Sequence, residues 1–507
     1  MYVPRASRSL VPISIALAAG ALAIACSSAP SPSSSIFVHG QSETGGAASD
    51  DGGVGNSTGS GAAPNLSGNL APTVDAAPPC VNLQCQQVAC ASGTTTTVSG
   101  TIYDPGGVNP LYNVVVYVPN APVQPFTDSA TCDTCAALYT GEPLVTANTD
   151  ATGKFTLTNV PAGTNIPLVI QIGKWRRQIT VPTVTSCVDN PLTNVDQTRL
   201  PKNRTEGDLP KMAVSTGGAD SLECLLQRIG VDPAEYTSST GAERVHIYQG
   251  TGGNAESGGS PASQTSLWDS EADLAQYDIV ILSCEGGEYG STKPATSLEA
   301  LEAYANAGGR VFASHFHYYW FEGAGSSTDF EGTANWAPGS NAIGSGSDNV
   351  TSGAINTTFP KGVAFQQWMQ ETNSLQADGT MEIEDSRQNA SVNPTVNTAS
   401  EAWITDTTVP TMTANGKTGP TTMYFDFNTP VAATPANQCG RIVYSDLHVG
   451  AAAANYASSN VVPTGCSTSP LTPQEKALEF MLFDLSSCVT PDSAPPTPPA
   501  PTPPQPK

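Results

Sequence analysis

Asp278-Ile279-Val280-Ile281-Leu282-Ser283-Cys284-Glu285-Gly286-Gly287 is the stretch that decides the architecture. Four consecutive apolar residues between an acid and a glycine pair have no alternation, so the segment reads as a strand buried on both faces of a parallel sheet. Similar units lie on either side. Upstream, Lys211 to Gly218 is a strand ending in glycines. Asp220 can then cap a helix from Ser221 to Ile229, whose Leu222, Leu225, Leu226 and Ile229 form one face. Arg244 to Tyr248 is a further strand. Downstream, Ser297 is placed to cap a helix carrying Leu298, Leu301 and Tyr304, ended by Gly308-Gly309. Arg310 to Ser314 and Gly440 to Ser445 are the next strands. Thr472-Pro473 opens a closing helix from Gln474 to Leu485.

Strands alternating with helices predict a doubly wound, flavodoxin-like α/β domain over 205–488. A large insertion, 321–439, precedes its last strand and holds an amphipathic helix from Val363 to Thr372 and a β segment from Met423 to Phe427. The region before it is different. Val98 to Tyr103, Val114 to Val118, Lys154 to Leu157 and Leu168 to Ile172 are short strands separated by Asp104-Pro105-Gly106-Gly107, Asp150-Ala151-Thr152-Gly153 and Pro161-Ala162-Gly163. That spacing predicts an all-β sandwich over 80–190. The fold class is therefore multidomain, with disordered termini: Ser27 to Pro79 and the Pro-rich tail 489–507 have too few large apolar residues to offset ordering entropy.

Two family resemblances follow from these residues. VSGTIYDPGG, TDATGKFTLTNVPAG and LVIQIGKWRRQITV resemble the carboxypeptidase regulatory-like domain, a transthyretin-like, carbohydrate-binding-like sandwich that is usually non-catalytic. In it Trp175, with Arg176 and Arg177, either stacks on a sugar or packs on the next domain. YDIVILSCEGG, LEALEAYANAGGRVFASHFHYYW and GRIVYSDLHVG resemble the ThuA-like group of the class I glutamine-amidotransferase-like fold. Amidotransferases carry a Gly-x-Cys-x-Gly elbow where this chain has Phe312-Ala313-Ser314-His315-Phe316, so glutaminase activity is not implied.

The N-terminus reads as an address. Arg5 and Arg8 precede the apolar run Leu10 to Ile24, and Leu22-Ala23-Ile24-Ala25-Cys26 resembles a bacterial lipobox. Residues 1–25 are expected to be a signal peptide and Cys26 the lipidated residue. Residues 26–79 would tether the folded part about 40 Å from a membrane, and Ser27 after the Cys favours the outer membrane or cell surface. With 20 Lys plus Arg against 44 Asp plus Glu, the formal charge is −24. No nucleic-acid partner is expected, because that requires clustered positive charge. Setting Cys26 aside leaves an odd number of cysteines from a total of 12. In an oxidising compartment most should pair, with Cys132 and Cys135 forming a local bridge and Cys284 remaining free.

Ligands of open α/β sheets bind beyond the carboxyl ends of the strands. Cys284, Glu285 and Glu288 fall there, as do His315, His317, Tyr318 and Trp320, and Asp446 and His448. Three of the five histidines share that edge. In an extended segment His315 and His317 point the same way. With His448 and Asp446 they could form a metal site, for which zinc is the natural ion. Otherwise no cofactor is expected. Cys284, His315 and His448 are the candidates for nucleophilic and acid–base chemistry, and Glu285, Glu288, Tyr318, Trp320 and Asp446 for ligand contact. The insertion starts directly after this motif and is expected to cover the site as a lid or wall. Two functions are open. One is a lipid-anchored surface protein that binds a glycan or protein without chemistry. The other is a hydrolase-like enzyme, zinc-assisted or not, using the His/Cys edge.

Overall fold

A computed structural model describes residues 80–501 except 92, 133–134, 257–261, 324–327, 340, 346–348 and 450–460. The signal peptide, Cys26 and the 26–79 tether lie outside the described residues, as does the end of the tail. The molecule is mostly β, 31% strand against 21% helix.

The first seven strands are β1 (Thr97–Thr101), β2 (Val115–Pro119), β3 (Pro143–Asn148), β4 (Lys154–Thr158), β5 (Gly163–Ile172), β6 (Trp175–Val184) and β7 (Asp189–Leu192). They form two sheets, β4-β1-β7 and β3-β2-β5-β6. Val98, Phe155 and Leu157 of one share a core with Val116, Val118, Leu168 and Ile170 of the other. The alternation exposed–buried along Lys154 to Thr158 is the period-two pattern of a strand with one wet face.

The larger sheet begins with β8 (Met212–Thr216), helix α1 (Leu222–Arg228), β9 (Val245–Gln249) and β10 (Ile279–Leu282). Helix α2 (Ala295–Asn306) and β11 (Arg310–Ser314) follow. Next come β12 (Thr351–Ile355), α3 (Pro360–Glu371), β13 (Met381–Ile383), β14 (Ser400–Asp406), β15 (Thr422–Thr429), β16 (Gly440–Ser445) and α4 (Pro473–Ser486). The order is β9-β8-β10-β11-β16-β15-β14-β12-β13. The first five are mutually parallel, with Ile281 opposite Val214 and Phe312, and Phe312 opposite Val443. The rest are antiparallel. The insertion therefore does not sit on the sheet as a separate lid. Its strands extend the sheet, because β15 pairs along the length of β16.

Apolar side chains of α1, α3 and α4 pack in the core shared with the β1–β7 sheets, and those of α2 in a second core on the opposite face. Helix α4 is nearly all buried, since one face meets the sheet and the other the β1–β7 region. Tyr112 stacks on Phe480 at 5.8 Å, and Trp175 meets Phe483 edge-on at 5.8 Å. Trp175 is thus fully buried at the junction and offers no sugar-stacking face. Thr472 caps α4 by a capping box with Glu475.

Several local expectations change. Ser221, not Asp220, is the N-cap of α1, and Asp220 instead accepts from the amides of Ser221 and Val449, 2.8 and 2.9 Å away. Helix α2 starts earlier, with Pro294 as its N-cap. The cysteine pairs are Cys80–Cys85, Cys90–Cys187, Cys132–Cys439, Cys135–Cys488 and Cys224–Cys466. Cys132 and Cys135 therefore do not close a local bridge; each staples a distant segment. The tail from 489 is not loose throughout. Asp492 is held between Lys361 and Arg441, and Pro499 accepts a hydrogen bond from Thr146. Electrostatic pairing thus holds a segment whose composition alone predicts disorder.

One pH dependence follows from this packing. Burial, then the charge of Asp492, raises the half-buried Glu401 carboxyl from 4.5 to about 7. The folded state keeps a proton that the unfolded state has lost, so this stabilisation is full below about 4.5 and disappears as pH rises through about 7. Glu401→Gln should flatten part of the fall in urea midpoint between those pH values. An unchanged slope would contradict the assignment.

Candidate functional site

The carboxyl ends of the parallel strands bring together side chains far apart in sequence. Cys284 lies just beyond β10, His315 directly after β11, and His448 three residues after β16. All three are buried, at 0%, 2% and 1% exposure. Cys284 Sγ is 3.4 Å from His315 Nδ1. The His315 and His448 rings meet edge to face at 5.1 Å. One donor atom from each of the three lies within 4.8 Å of the others. Cys284 is the single unpaired cysteine among the described residues.

Each member is held from outside the cluster. Ser314 Oγ accepts the Cys284 amide at 2.9 Å. His315 has φ +38°, a left-handed conformation that costs a non-glycine residue about 1–3 kcal/mol. The Tyr444 hydroxyl, which donates to Asp446, lies 3.0 Å from the His315 carbonyl. His448 Nδ1 is 3.2 Å from the Asp385 carboxylate and 3.1 Å from its carbonyl, and Arg387 pairs with the same carboxylate at 2.7 Å. The Nε2 atoms of both histidines are buried without a hydrogen bond.

The two imidazoles are driven in opposite directions. Burial lowers His315 far below the ordinary histidine range, and the neighbouring charge of His448 and Arg387 lowers it further. Burial also opposes charge on His448. The Asp385 hydrogen bond, the neighbouring Cys284 and the buried Asp220 outweigh it, so His448 stays well above the usual range. His315 is therefore a neutral nitrogen donor, and His448 sits where positive charge is favoured.

The other expected residues serve different purposes. His317 is not part of the cluster. Residues His315 to Trp320 form a 3-10 helix rather than an extended segment, so positions two apart face different ways. His317 Nε2 lies 2.9 Å from the Ser283 carbonyl, and its Nδ1 accepts from Trp320 Nε1 at 3.0 Å. Burial, aided by the Lys293 charge, lowers it to about 4. Asp446 is not a ligand either: it accepts the Asn389 amide at 2.8 Å and the Tyr444 hydroxyl at 2.7 Å. Glu285 forms a buried pair with Lys293 and accepts the Thr251 amide. Glu288 bonds Tyr318. Tyr318 and Trp320 are buried, Trp320 against Trp268 at 5.0 Å, and so belong to the core rather than to an open binding wall.

Asp385 and Asp220 complete the site and escape sequence reading as site residues. Asp385 comes from the insertion, and nothing in the local pattern separates it from Glu382 and Glu384. Asp220 carries a helix-cap signal that fits another role. The insertion does wall the centre, through Asp385, Arg387 and Asn389. A direct consequence concerns reactivity. In the native protein the Cys284 thiol should resist alkylation, and on unfolding without reductant it should become reactive, mapped by peptide mass. Rapid labelling of native Cys284 would show that the centre opens to solvent.

No family model matches the chain, and no curated protein matches it. Among solved structures, a type II cohesin–X-dockerin complex from Acetivibrio cellulolyticus is 21% identical over 29% of this chain and 78% of that one, with a TM-score of 0.15. A 9R-lipoxygenase from Cyanothece PCC8801 is 13% identical over 22% of this chain and 17% of that one, with a TM-score of 0.10.

Proposed function

We propose that this is an envelope lipoprotein, anchored through lipid on Cys26, with a non-catalytic binding role and a zinc ion held by Cys284, His315 and His448. Its folded part is read as a carboxypeptidase regulatory-like sandwich followed by a flavodoxin-like α/β region of the ThuA type. The strand order, numbered within the five parallel strands as 2-1-3-4-5, supports that reading. Burial of Trp175, Tyr318 and Trp320 leaves these three rings no exposed face for a sugar.

The observation that carries the metal reading is the convergence of one free thiol and two imidazoles, His315 turning its Nδ1 toward the Cys284 sulfur and His448 keeping its Nε2 clear of the Asp385 contacts made by its Nδ1. One thiolate and two imidazoles are a zinc donor set, and an ion at the centre would take the place of the positive charge that the site favours on His448. Tetrahedral zinc with ordinary bond lengths separates sulfur and nitrogen ligands by roughly 3.6 Å, close to the 3.4 Å between Cys284 and His315. Asp385 on the far nitrogen of His448 is the carboxylate partner that orients a ligating histidine. The sealed position suits holding an ion better than turning over a large substrate. The test is metal analysis of the full chain in detergent after zinc dialysis, with cobalt substitution. About one metal per chain and a thiolate-to-cobalt absorption band are expected. No bound metal and no band would overturn it.

A second reading rests on the Cys284–His315 contact and the strained strand-to-helix turn at His315. In it the thiol proton passes to a neighbouring imidazole and Cys284 Sγ attacks a carbonyl, as in hydrolases. Ester or amide turnover lost in Cys284→Ala but retained after chelation would favour this reading.

A further inference from the structure

At the opposite, amino end of the central strands, four half-cystines meet. Cys132 and Cys135 are close neighbours in sequence, yet they bond Cys439 and Cys488, separated from them by 307 and 353 positions. Arg310 places the two partners side by side: its guanidinium donates to the Cys439 carbonyl at 2.7 Å and to the Ser487 carbonyl at 3.3 Å. Cys90–Cys187 and Cys224–Cys466 also skip intervening cysteines, and among these pairs only Cys80–Cys85 joins neighbours in cysteine order.

Chain statistics oppose this pairing. Ring closure becomes rarer with roughly the 3/2 power of loop length, so Cys132 meets Cys135 roughly a thousand times more often than Cys439 in an unfolded chain. Cys135 is also synthesised long before Cys439 or Cys488. Cys224 likewise meets Cys284 before Cys466, and that error would consume the thiol of the candidate site.

We infer that this chain is a substrate of a dithiol disulfide isomerase, which opens an early Cys132–Cys135 bridge so that the two distant staples can form. The catalyst's thiolate attacks Cys132 Sγ, the Cys132–Cys135 bond breaks, and Cys135 leaves as a thiolate. The Cys439 thiolate then attacks Cys132 Sγ and expels the catalyst's thiolate unchanged. That exchange is neutral in electrons. Joining Cys135 to Cys488 removes two electrons and two protons, taken up by a small-molecule disulfide such as oxidised glutathione. Cys132 is exposed in the folded protein, so its surroundings admit a catalyst late in folding. The inference is independent of the metal reading.

The test refolds the full reduced chain in a glutathione buffer, with and without a reduced disulfide isomerase, and maps disulfides by mass spectrometry over time. Without the isomerase, a Cys132–Cys135-bridged species should accumulate. With it, Cys132–Cys439 should appear at least about tenfold faster. In Cys135→Ser/Cys488→Ser, which cannot form the competing bridge, the isomerase should accelerate Cys132–Cys439 much less than in the wild type. Equal wild-type rates, absence of the bridged species, failure of the native pairs even with isomerase, or undiminished isomerase dependence in the double variant would each overturn the inference.

Discussion

Replacing Arg441 by Met should destabilise the protein by about 3–5 kcal/mol, read as a lower urea midpoint at neutral pH with the slope unchanged. Arg441 is fully buried between β15, α4 and the C-terminal segment. Its guanidinium contacts Asp484 at 2.5 Å, Asp492 at 2.8 Å, Asp426 at 3.3 Å and Asn428 at 2.9 Å. Lys361 of α3 adds a second buried cation, 2.9 Å from both Asp484 and Asp492. Burial, then repulsion from Asp492, pushes Asp426 well above the carboxylate range despite Arg441. Arg441 and Lys361 share Asp484 and Asp492 as partners. Burial opposes charge on Asp492, but Arg441 and Lys361 outweigh it and lower it to about 2. Methionine fills much of the volume but leaves a carboxylate buried without its partner, and that desolvation dominates the loss. The C-terminal segment from 489 should also loosen, so limited proteolysis should trim it faster in the variant than in the wild type. A loss under about 1 kcal/mol would mean that water or rearrangement supplies the missing charge.

The second large effect is expected at the candidate centre. His448→Ala should abolish zinc binding, measured by competition with a chromophoric chelator, because it removes one of the three protein donors found among the described residues. Asp385→Asn should be milder, weakening binding about 10–100-fold, since it keeps the shape of the group but loses the charge that orients the His448 ring. His317→Ala should leave zinc affinity unchanged, because both of its ring nitrogens are engaged elsewhere. That variant separates a ligand role from a packing role, since it too removes a buried imidazole. Equal affinity losses in His317→Ala and His448→Ala would mean that the centre is sensitive only to core damage, and the metal assignment would fall.

The cluster is partly legible because strand ends are legible. Apolar runs such as Ile279 to Leu282 mark where a buried strand stops, and residues at successive stops share an edge once the strands are parallel. Cys284, His315 and His448 are picked out that way. His317 is misplaced by the same reasoning, because the direction of a side chain depends on the local backbone, and the aromatic-rich His315–Trp320 forms a 3-10 helix. Asp385 is not legible at all. Its place depends on how the insertion folds back toward the end of β16, a contact made across 63 positions of sequence.

Local pattern alone marks strands β8, β9, β10, β11 and β16, the closing helix α4 and the odd cysteine. Those follow from short-range periodicity, turn residues and counting, which act along the chain. Which cysteines pair, the hold on the tail at Asp492, the burial of α4 on both sides and the core places of Tyr318 and Trp320 emerge from the folded molecule. These depend on which surfaces meet after folding. A side chain's burial and charge state are set by neighbours that the local pattern does not contain.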